Sequence, residues 1–336
     1  MAATRPATQF DILGIGNAIV DVVAPAPESL IVQLGLRPGG MTLIDAAQAV
    51  TIYGAMAPGM ESSGGSVGNS CAVAAILGAR VAFLGKVADD ELGQVFRHDI
   101  ESVGVHFPTV PLAADVSPTA RCLIMVTPDA QRTMSTYLGA CVEFCVTDVD
   151  PRLVADAAIT YLEGYLFDPA PAQQAFYFAT RVAREAGRRV ALSLSDPFCV
   201  GRHRARFRHL VREQTDILFA NEAEICSLYE TGDVFAAAQA ARAEVDIAVI
   251  TRGPNGSLVL AGDAVAEIPA EPSTVVDTTG AGDAYAAGFL AGLTNGLDLA
   301  AAASLGAKAA ARVIEYYGAR PVGVLEELRG AMKARD

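Results

Sequence analysis

The sequence predicts an α/β fold: a three-layer α/β/α sandwich around a mostly parallel central sheet, with a small β-sheet lid standing off it. Two observations carry this. Short apolar or β-branched runs alternate with longer Ala-rich stretches of helical character, the pattern of a parallel sheet covered on both faces. Two separated stretches, residues 17–46 and 109–138, break that rhythm with strand-like alternation. A chain of 336 residues, 52% hydrophobic and 19% charged, is long and apolar enough for one large domain plus such an appendage.

The first strand covers residues 10–16 and runs into Gly14-Ile15-Gly16-Asn17, with Asp21 four residues on. This Gly-x-Gly lacks the third glycine of the dinucleotide fingerprint, which argues against a nicotinamide oxidoreductase. Asn17 and Asp21 stand at the mouth of a strand, where they either bond the hydroxyls of a polyol or close an Asx turn. Short strands follow at 18–23 and 41–44. Gly64-Gly65-Ser66-Val67-Gly68-Asn69 then precedes a helix over 67–77. Gly64 and Gly65 let backbone approach a ligand closely, and Asn69 offers a sugar hydroxyl both donor and acceptor; the plainer reading is a flexible turn. A strand over 81–87 and a helix over 91–103 come next. The second lid stretch holds strands at 120–126 and 132–137, and Arg132 there either reaches a phosphate or covers the surface. Residues 1–16, 47–108 and 139–336 form the main domain, and 17–46 and 109–138 the lid. A lid closing on a substrate excludes water. Ile19, Val23, Leu123 and Met125 give it an apolar face suited to a homodimer contact.

Further strands are expected at 159–166, 189–195, 217–221 and 247–252, and helices at 170–186, 222–229, 234–243, 284–294 and 299–317. Gly262-Asp263 between two β-rich runs predicts a hairpin. Parallel sheets bind ligands beyond the carboxyl ends of their strands. Asn221-Glu222-Ala223-Glu224 lies at such an end. Glu224 could hold Mg²⁺ through water, or serve as an acid in a first helical turn. Thr251-Arg252-Gly253-Pro254-Asn255-Gly256 is a backbone-rich turn able to cradle the phosphates of ATP.

The most informative run is Asp277-Thr278-Thr279-Gly280-Ala281-Gly282-Asp283, which feeds a long apolar helix. Free N–H groups of Gly280, Ala281 and Gly282 at a helix start suit an anion. A carboxylate there would repel a phosphate, unless Asp283 must take a proton from the hydroxyl that attacks it. A general base beside an anion hole is the minimal equipment for phosphoryl transfer to an alcohol.

The net charge of −13 argues against a nucleic-acid partner, and leaves phosphates to be met by local donors. The first residues lack a signal-peptide core and no apolar run is long enough to span a bilayer, so a cytoplasmic protein is expected. The six cysteines are scattered among apolar neighbours and read as buried small hydrophobes.

Taken in order, these segments resemble the PfkB family of carbohydrate and nucleoside kinases, also called the ribokinase family, over essentially the whole chain. The resemblance implies a ribokinase-like fold and an ATP- and Mg²⁺-dependent kinase. By it, Asp283 is the catalytic base and Gly280, Ala281 and Gly282 the anion hole. Asp21, Gly65 and Asn69, with Asn17 and Gly64 beside them, match substrate-hydroxyl positions. Asn221 and Glu224 match a motif that organises Mg²⁺ and phosphates. Thr251, Gly253 and Gly256, flanking Arg252, match the ATP turn, and Thr278 faces the nucleotide. In some members the region of Asp277 lies near a monovalent cation such as K⁺. Gly39-Gly40-Met41, Arg132-Thr133-Met134 and Glu163-Gly164-Tyr165 are similar to the bacterial adenosine-kinase-like branch. Tyr165 is then the aromatic that stacks on a base, worth ~1–3 kcal/mol, or else a packed strand residue. Adenosine kinase is the activity expected; a fructose- or ribose-type sugar kinase, or a non-catalytic nucleoside or sugar sensor, are the alternatives.

Overall fold

The computed structural model describes residues 8–129 and 131–332. Residues 1–7, and the last four residues assigned above to the main domain, lie outside them. The strands are β1 (Phe10–Ile15), β2 (Ile19–Pro25), β3 (Met41–Leu43), β4 (Met60–Ser63), β5 (Val81–Leu84), β6 (Val105–His106), β7 (Ala120–Val126), β8 (Arg132–Tyr137), β9 (Ala157–Glu163), β10 (Arg189–Ser193), β11 (Ile217–Asn221), β12 (Ile247–Thr251), β13 (Ser257–Ala261) and β14 (Ala264–Ile268).

Among the described residues the large sheet has the order β14-β13-β12-β11-β10-β9-β1-β5-β6. It is parallel from β12 to β6, and antiparallel only through the β13–β14 hairpin, which turns where Gly262-Asp263 placed it. Alternate strand residues fill two cores. Ile12, Phe83, Tyr161 and Phe219 pack under helices Ser66–Leu77, Ala281–Thr294 and Leu299–Val313. Leu13, Ile15, Leu162 and Leu192 pack under helices Ala170–Glu185, Pro197–Gln214, Glu222–Tyr229 and Val234–Arg242. Burial on both faces is why these strands read as continuous apolar runs. Strand order reverses between β1 and β9. That reversal opens a crevice at their carboxyl ends, where ligands bind in such sheets.

The second sheet has the order β3-β8-β7-β2-β4. Three sequence expectations change here. β4 pairs with β2 although residues 47–108 were assigned to the main domain, and helix Ala46–Ala55 packs on this sheet as well. Met60-Glu61-Ser62-Ser63 is too short and polar to show a strand period. Helix Glu28–Gln33 interrupts a stretch read as strands and turns. The proposed dimer face also divides: Leu123 and Met125 are buried in the core with Val20 and Val22, whereas Ile19 and Val23 lie on the opposite side. On that opposite side, cross-strand partners place Met41, Leu43, Cys122, Ile124, Met134 and Thr136 together with Asp21.

Helix Pro197–Gln214 was absent from the sequence reading. Its arginines and histidines mask the apolar period of Cys199, Val200, Phe207, Leu210 and Val211, and His203 kinks it. Its start was legible in Asp196-Pro197, an N-cap followed by proline.

The segment before β9 is pinned to the large sheet by an ion pair. Lys86 Nζ, just after β5, bonds Asp148 Oδ1 at 2.5 Å with both side chains nearly buried. Replacing Lys86 by Met would leave Asp148 charged and unpaired, costing about 3 kcal/mol. Lys86→Met is expected to lower the urea midpoint accordingly; an unchanged midpoint would show that the pair contributes nothing.

Candidate active site

The crevice is built by three chain segments. β1 delivers Asn17, β9 ends on Glu163, and helix Ser66–Leu77 starts beside both. Asn17 Nδ2 donates to Glu163 Oε1 at 2.7 Å, and Val67 N–H donates to Oε2 at 2.9 Å. Burial pushes the Glu163 carboxyl up to about 7. Gly65 caps the helix at φ +85°, and a Cβ there would lie 2.1 Å from Asn17 O, so no other residue fits. Gly64 donates to Ile19 O at 2.6 Å and abuts the Asp21 carboxylate. Asn17, Asp21, Gly64, Gly65 and Asn69 are thereby brought together.

Asp283 lies where two helices begin. It sits in the first turn of helix Ala281–Thr294 and accepts from two side chains in the first turns of Ser66–Leu77. Ser66 Oγ donates to Oδ1 at 2.6 Å and Asn69 Nδ2 to Oδ2 at 3.0 Å. Ser70 Oγ donates to the Asp283 carbonyl at 3.0 Å, locking the helices together. Burial raises the Asp283 carboxyl to about 6, against the pull of these bonds and of Arg320. Burial raises the Asp21 carboxyl to about 6, against the pull of Arg320, and the charge of Asp283 pushes the same way as burial. A carboxylate poised near neutrality can take a proton at physiological pH.

Gly280 enters the same helix at φ +78°, pressed against Ala319. The Ala281 N–H turns back to Thr278 O at 3.2 Å. The later amides of this first turn have no intrahelical acceptor, as at any helix start. This loop forms one wall of a cavity of about 670 Å³. Thr251, Gly253, Gly256, Thr278, Ala281 and Gly282 line it, and Ala307, Ala310 and Ala311 contribute small side chains to the same lining. Arg252 stands apart from that cavity. Its guanidinium bonds Asn255 O and Glu267 and lies over Phe235, bracing the β13–β14 hairpin.

Asn221 and Glu224 form a reciprocal capping box. Asn221 N and Nδ2 donate to the two Glu224 oxygens at 3.0 and 2.6 Å. Burial raises the Glu224 carboxyl to about 7, and the charges of Asp196 and Asp283 push the same way. Asp196, which the sequence reading passed over, caps helix Pro197–Gln214. Asp196 and Glu224 are the hard oxygen donors that Mg²⁺ takes; since both Glu224 oxygens accept from Asn221, contact there would run through water. Tyr165 lies in a 3₁₀ turn, Gly164–Phe167, rather than a strand. It is 41% exposed and lies in the field of Asp196 and Glu224.

Arg132 reaches across from β8. Its guanidinium pairs with Asp277 Oδ2 at 2.8 Å, donates to Thr279 Oγ1 at 3.2 Å and lies over Tyr317. Asp277 also accepts from Thr279 N, Thr279 Oγ1 and Gly318 N. Both carboxylate oxygens of Asp277 are engaged by protein donors. Sequence reasoning also missed Ser66, Ser70, Asp99 and Arg320. Arg320 comes from the turn Gly318-Ala319-Arg320-Pro321, far from any motif, and only the fold brings it here.

A carboxylate able to accept a proton, set at two helix amino ends beside a cavity of about 670 Å³, is the equipment of a phosphotransferase. The chain belongs to the pfkB family of carbohydrate kinases, whose sequence pattern matches residues 54–325. It is 46% identical to a solved adenosine kinase from Sinorhizobium meliloti, covering 95% of this chain and 98% of that one with a TM-score of 0.87. A solved probable sugar kinase from Rhizobium etli CFN 42 is 45% identical, covering 95% and 97% with a TM-score of 0.88. The adenosine kinase of Saccharomyces cerevisiae is 27% identical over 90% of this chain and 94% of its own. The fold is ribokinase-like and the protein a kinase. No helix among the described residues is long and apolar enough to cross a membrane.

The raised carboxyls set a pH dependence. Asp21, Glu163, Glu224 and Asp283 hold protons more tightly folded than unfolded. Their contribution to stability is full below the unfolded values near 4 and is lost as pH rises through about 6 to 7. The thermal midpoint of the ligand-free protein is expected to fall between about pH 5 and about pH 8. A midpoint that rises over that interval would contradict the assignment.

Proposed function

We propose that this kinase transfers the γ-phosphoryl group of ATP to the 5′-hydroxyl of adenosine. The observation that carries the reading is the place of Asp283, between the 670 Å³ cavity behind Gly282 and the polar cluster of Asn17, Asp21 and Asn69. In this account Asn17, Asp21 and Asn69 hold the acceptor's hydroxyls, with the Gly64-Gly65 backbone close beside them. Asp283 takes the hydroxyl proton as the oxygen attacks phosphorus. The bond to the bridging oxygen breaks and its electron pair leaves with ADP. Charge on the moving group is met by the amides of Gly280 and Gly282, the Ala281 N–H being turned back to Thr278 O, and by Arg132 once released from Asp277. Thr251, Gly253, Gly256 and Thr278 hold the nucleotide. Asp196 and Glu224, with Asn221, would hold Mg²⁺, which would supply charge neutralisation on the phosphates.

For the acceptor, the lid supports a nucleoside over a bare sugar. Its site-facing side carries Met41, Leu43, Ile124 and Met134, and Met41 and Leu43 are each about half exposed. A flat base covers such a surface, whereas a sugar would set hydroxyls against it without partners. Tyr165, in the field of the Asp196–Glu224 pair, fits the phosphate side better than a base-stacking role. The sugar-kinase reading keeps the support of the Rhizobium etli neighbour described above.

ADP release with Mg·ATP across adenosine, other nucleosides, ribose and fructose tests the acceptor. Turnover on adenosine at low concentration is expected; turnover on a sugar alone would overturn the nucleoside and keep the chemistry. Asp283→Asn is expected to lower kcat at least ~10²-fold with ATP binding unchanged. Near-wild-type turnover in that variant would remove Asp283 from the mechanism.

A further inference from the structure

We propose that Arg320 is a positioning residue for phosphoryl transfer: it fixes the orientation of the Asn69 amide against Asp283 and sets a guanidinium charge on the far side of that amide. The inference rests on the reading of Asp283 as the base, and it concerns a residue in no motif of the chain.

Arg320 Nε donates to Asn69 Oδ1 at 2.8 Å, and Asn69 Nδ2 donates to Asp283 Oδ2 at 3.0 Å. A carboxamide can be flipped, exchanging its donor and acceptor ends. A guanidinium only donates and a carboxylate only accepts. Asn69 placed between them therefore has one satisfactory orientation, with its NH₂ on the base. Without Arg320 the amide could turn its oxygen toward Asp283 and repel it.

The guanidinium is held from its far side. Nη1 donates to Ser63 Oγ, and Asp99 Oδ2 lies 3.5 Å from it. Ser63 Oγ and N–H in turn donate to Asp99 Oδ2 at 2.5 and 2.8 Å. Nη2 is buried with no hydrogen-bond partner among the described residues. Burying a cation with a donor unpaired is costly, and the carboxylates around it account for its retention. Asp21, Asp99 and Asp283 all bear on Arg320. Around Asp283 itself stand Asp21 from the lid, Glu163 at the end of β9 and Glu224 at a helix start, with the phenols of Tyr161 and Tyr165. The carboxyls among these, when charged, disfavour ionisation of Asp283 as burial does, and Arg320 opposes that; the phenols stay neutral there.

A merely structural arginine would tie the C-terminal turn to β4 without affecting the base. The pH dependence of kcat separates the two. The wild-type acidic limb is expected near pH 6. Arg320→Gln removes the charge and is expected to move that limb up by roughly one pH unit, with KM for ATP unchanged. Arg320→Lys keeps the charge and is expected to return the limb toward the wild type. Asp99→Asn, at a half-exposed position, removes the opposing charge and is expected to move the limb the other way. Folded Arg320→Gln with an unmoved limb overturns the proposal. If that variant does not fold, an unmoved limb in Asp99→Asn overturns it. A wild type with no acidic limb, or an active Asp283→Asn, would instead defeat the reading of Asp283 as the base.

Discussion

The site depends on one electrostatic arrangement: a partly buried carboxylate held at the amino ends of two helices. Ser66 and Asn69 from one helix fix the oxygens of Asp283, and the other helix carries its backbone. Helix amino ends favour negative charge, and burial disfavours it; the balance leaves the group near pH 6, above an ordinary aspartate. A base with a pKa just below physiological pH is ionised when needed and still basic enough to share a proton. The rest of the crevice maintains that balance. Glu163 anchors both Asn17 and the Val67 amide, in the first turn of the helix whose side chains hold Asp283, so the polar cluster and Asp283 share one support.

Positive charge in the site is local and sparing, in a chain whose net charge is −13. Two arginines provide it, each tied to the lid. Arg132 leaves β8 of the small sheet and pairs with Asp277 in the loop that opens the helix of Asp283. Arg320 leaves the C-terminal turn of the large domain and bonds Ser63 of β4. The two sheets are thus joined by cations at two points.

Much of this was legible in sequence for a physical reason. Strands buried on both faces and glycines at helix starts leave strong local signals, so the parallel sheet, the Gly64-Gly65 turn and the Asp277–Asp283 loop could be read directly. What sequence did not disclose depends on long-range contact. Arg320 meets Asn69 across 251 positions of chain, and nothing around Gly318-Ala319-Arg320 marks it. β4 has a polar sequence and becomes a strand because β2 offers it an edge. Helix Pro197–Gln214 was hidden by its arginines, which lie on the exposed side of a buried apolar stripe. Arg252 sat inside a recognisable turn, yet its side chain braces the hairpin instead of lining the cavity.

The most direct test is an infrared difference titration of the carboxyl groups of the intact protein, with the Asp283 signal assigned by its loss in Asp283→Asn. The account predicts that this carboxyl ionises near pH 6, well above the ordinary aspartate value of about 3.9. Ionisation at the ordinary value, or a carboxyl still protonated at about pH 8, would contradict it, because neither a solvated acid nor a permanently neutral one can serve as the poised base on which the site is built.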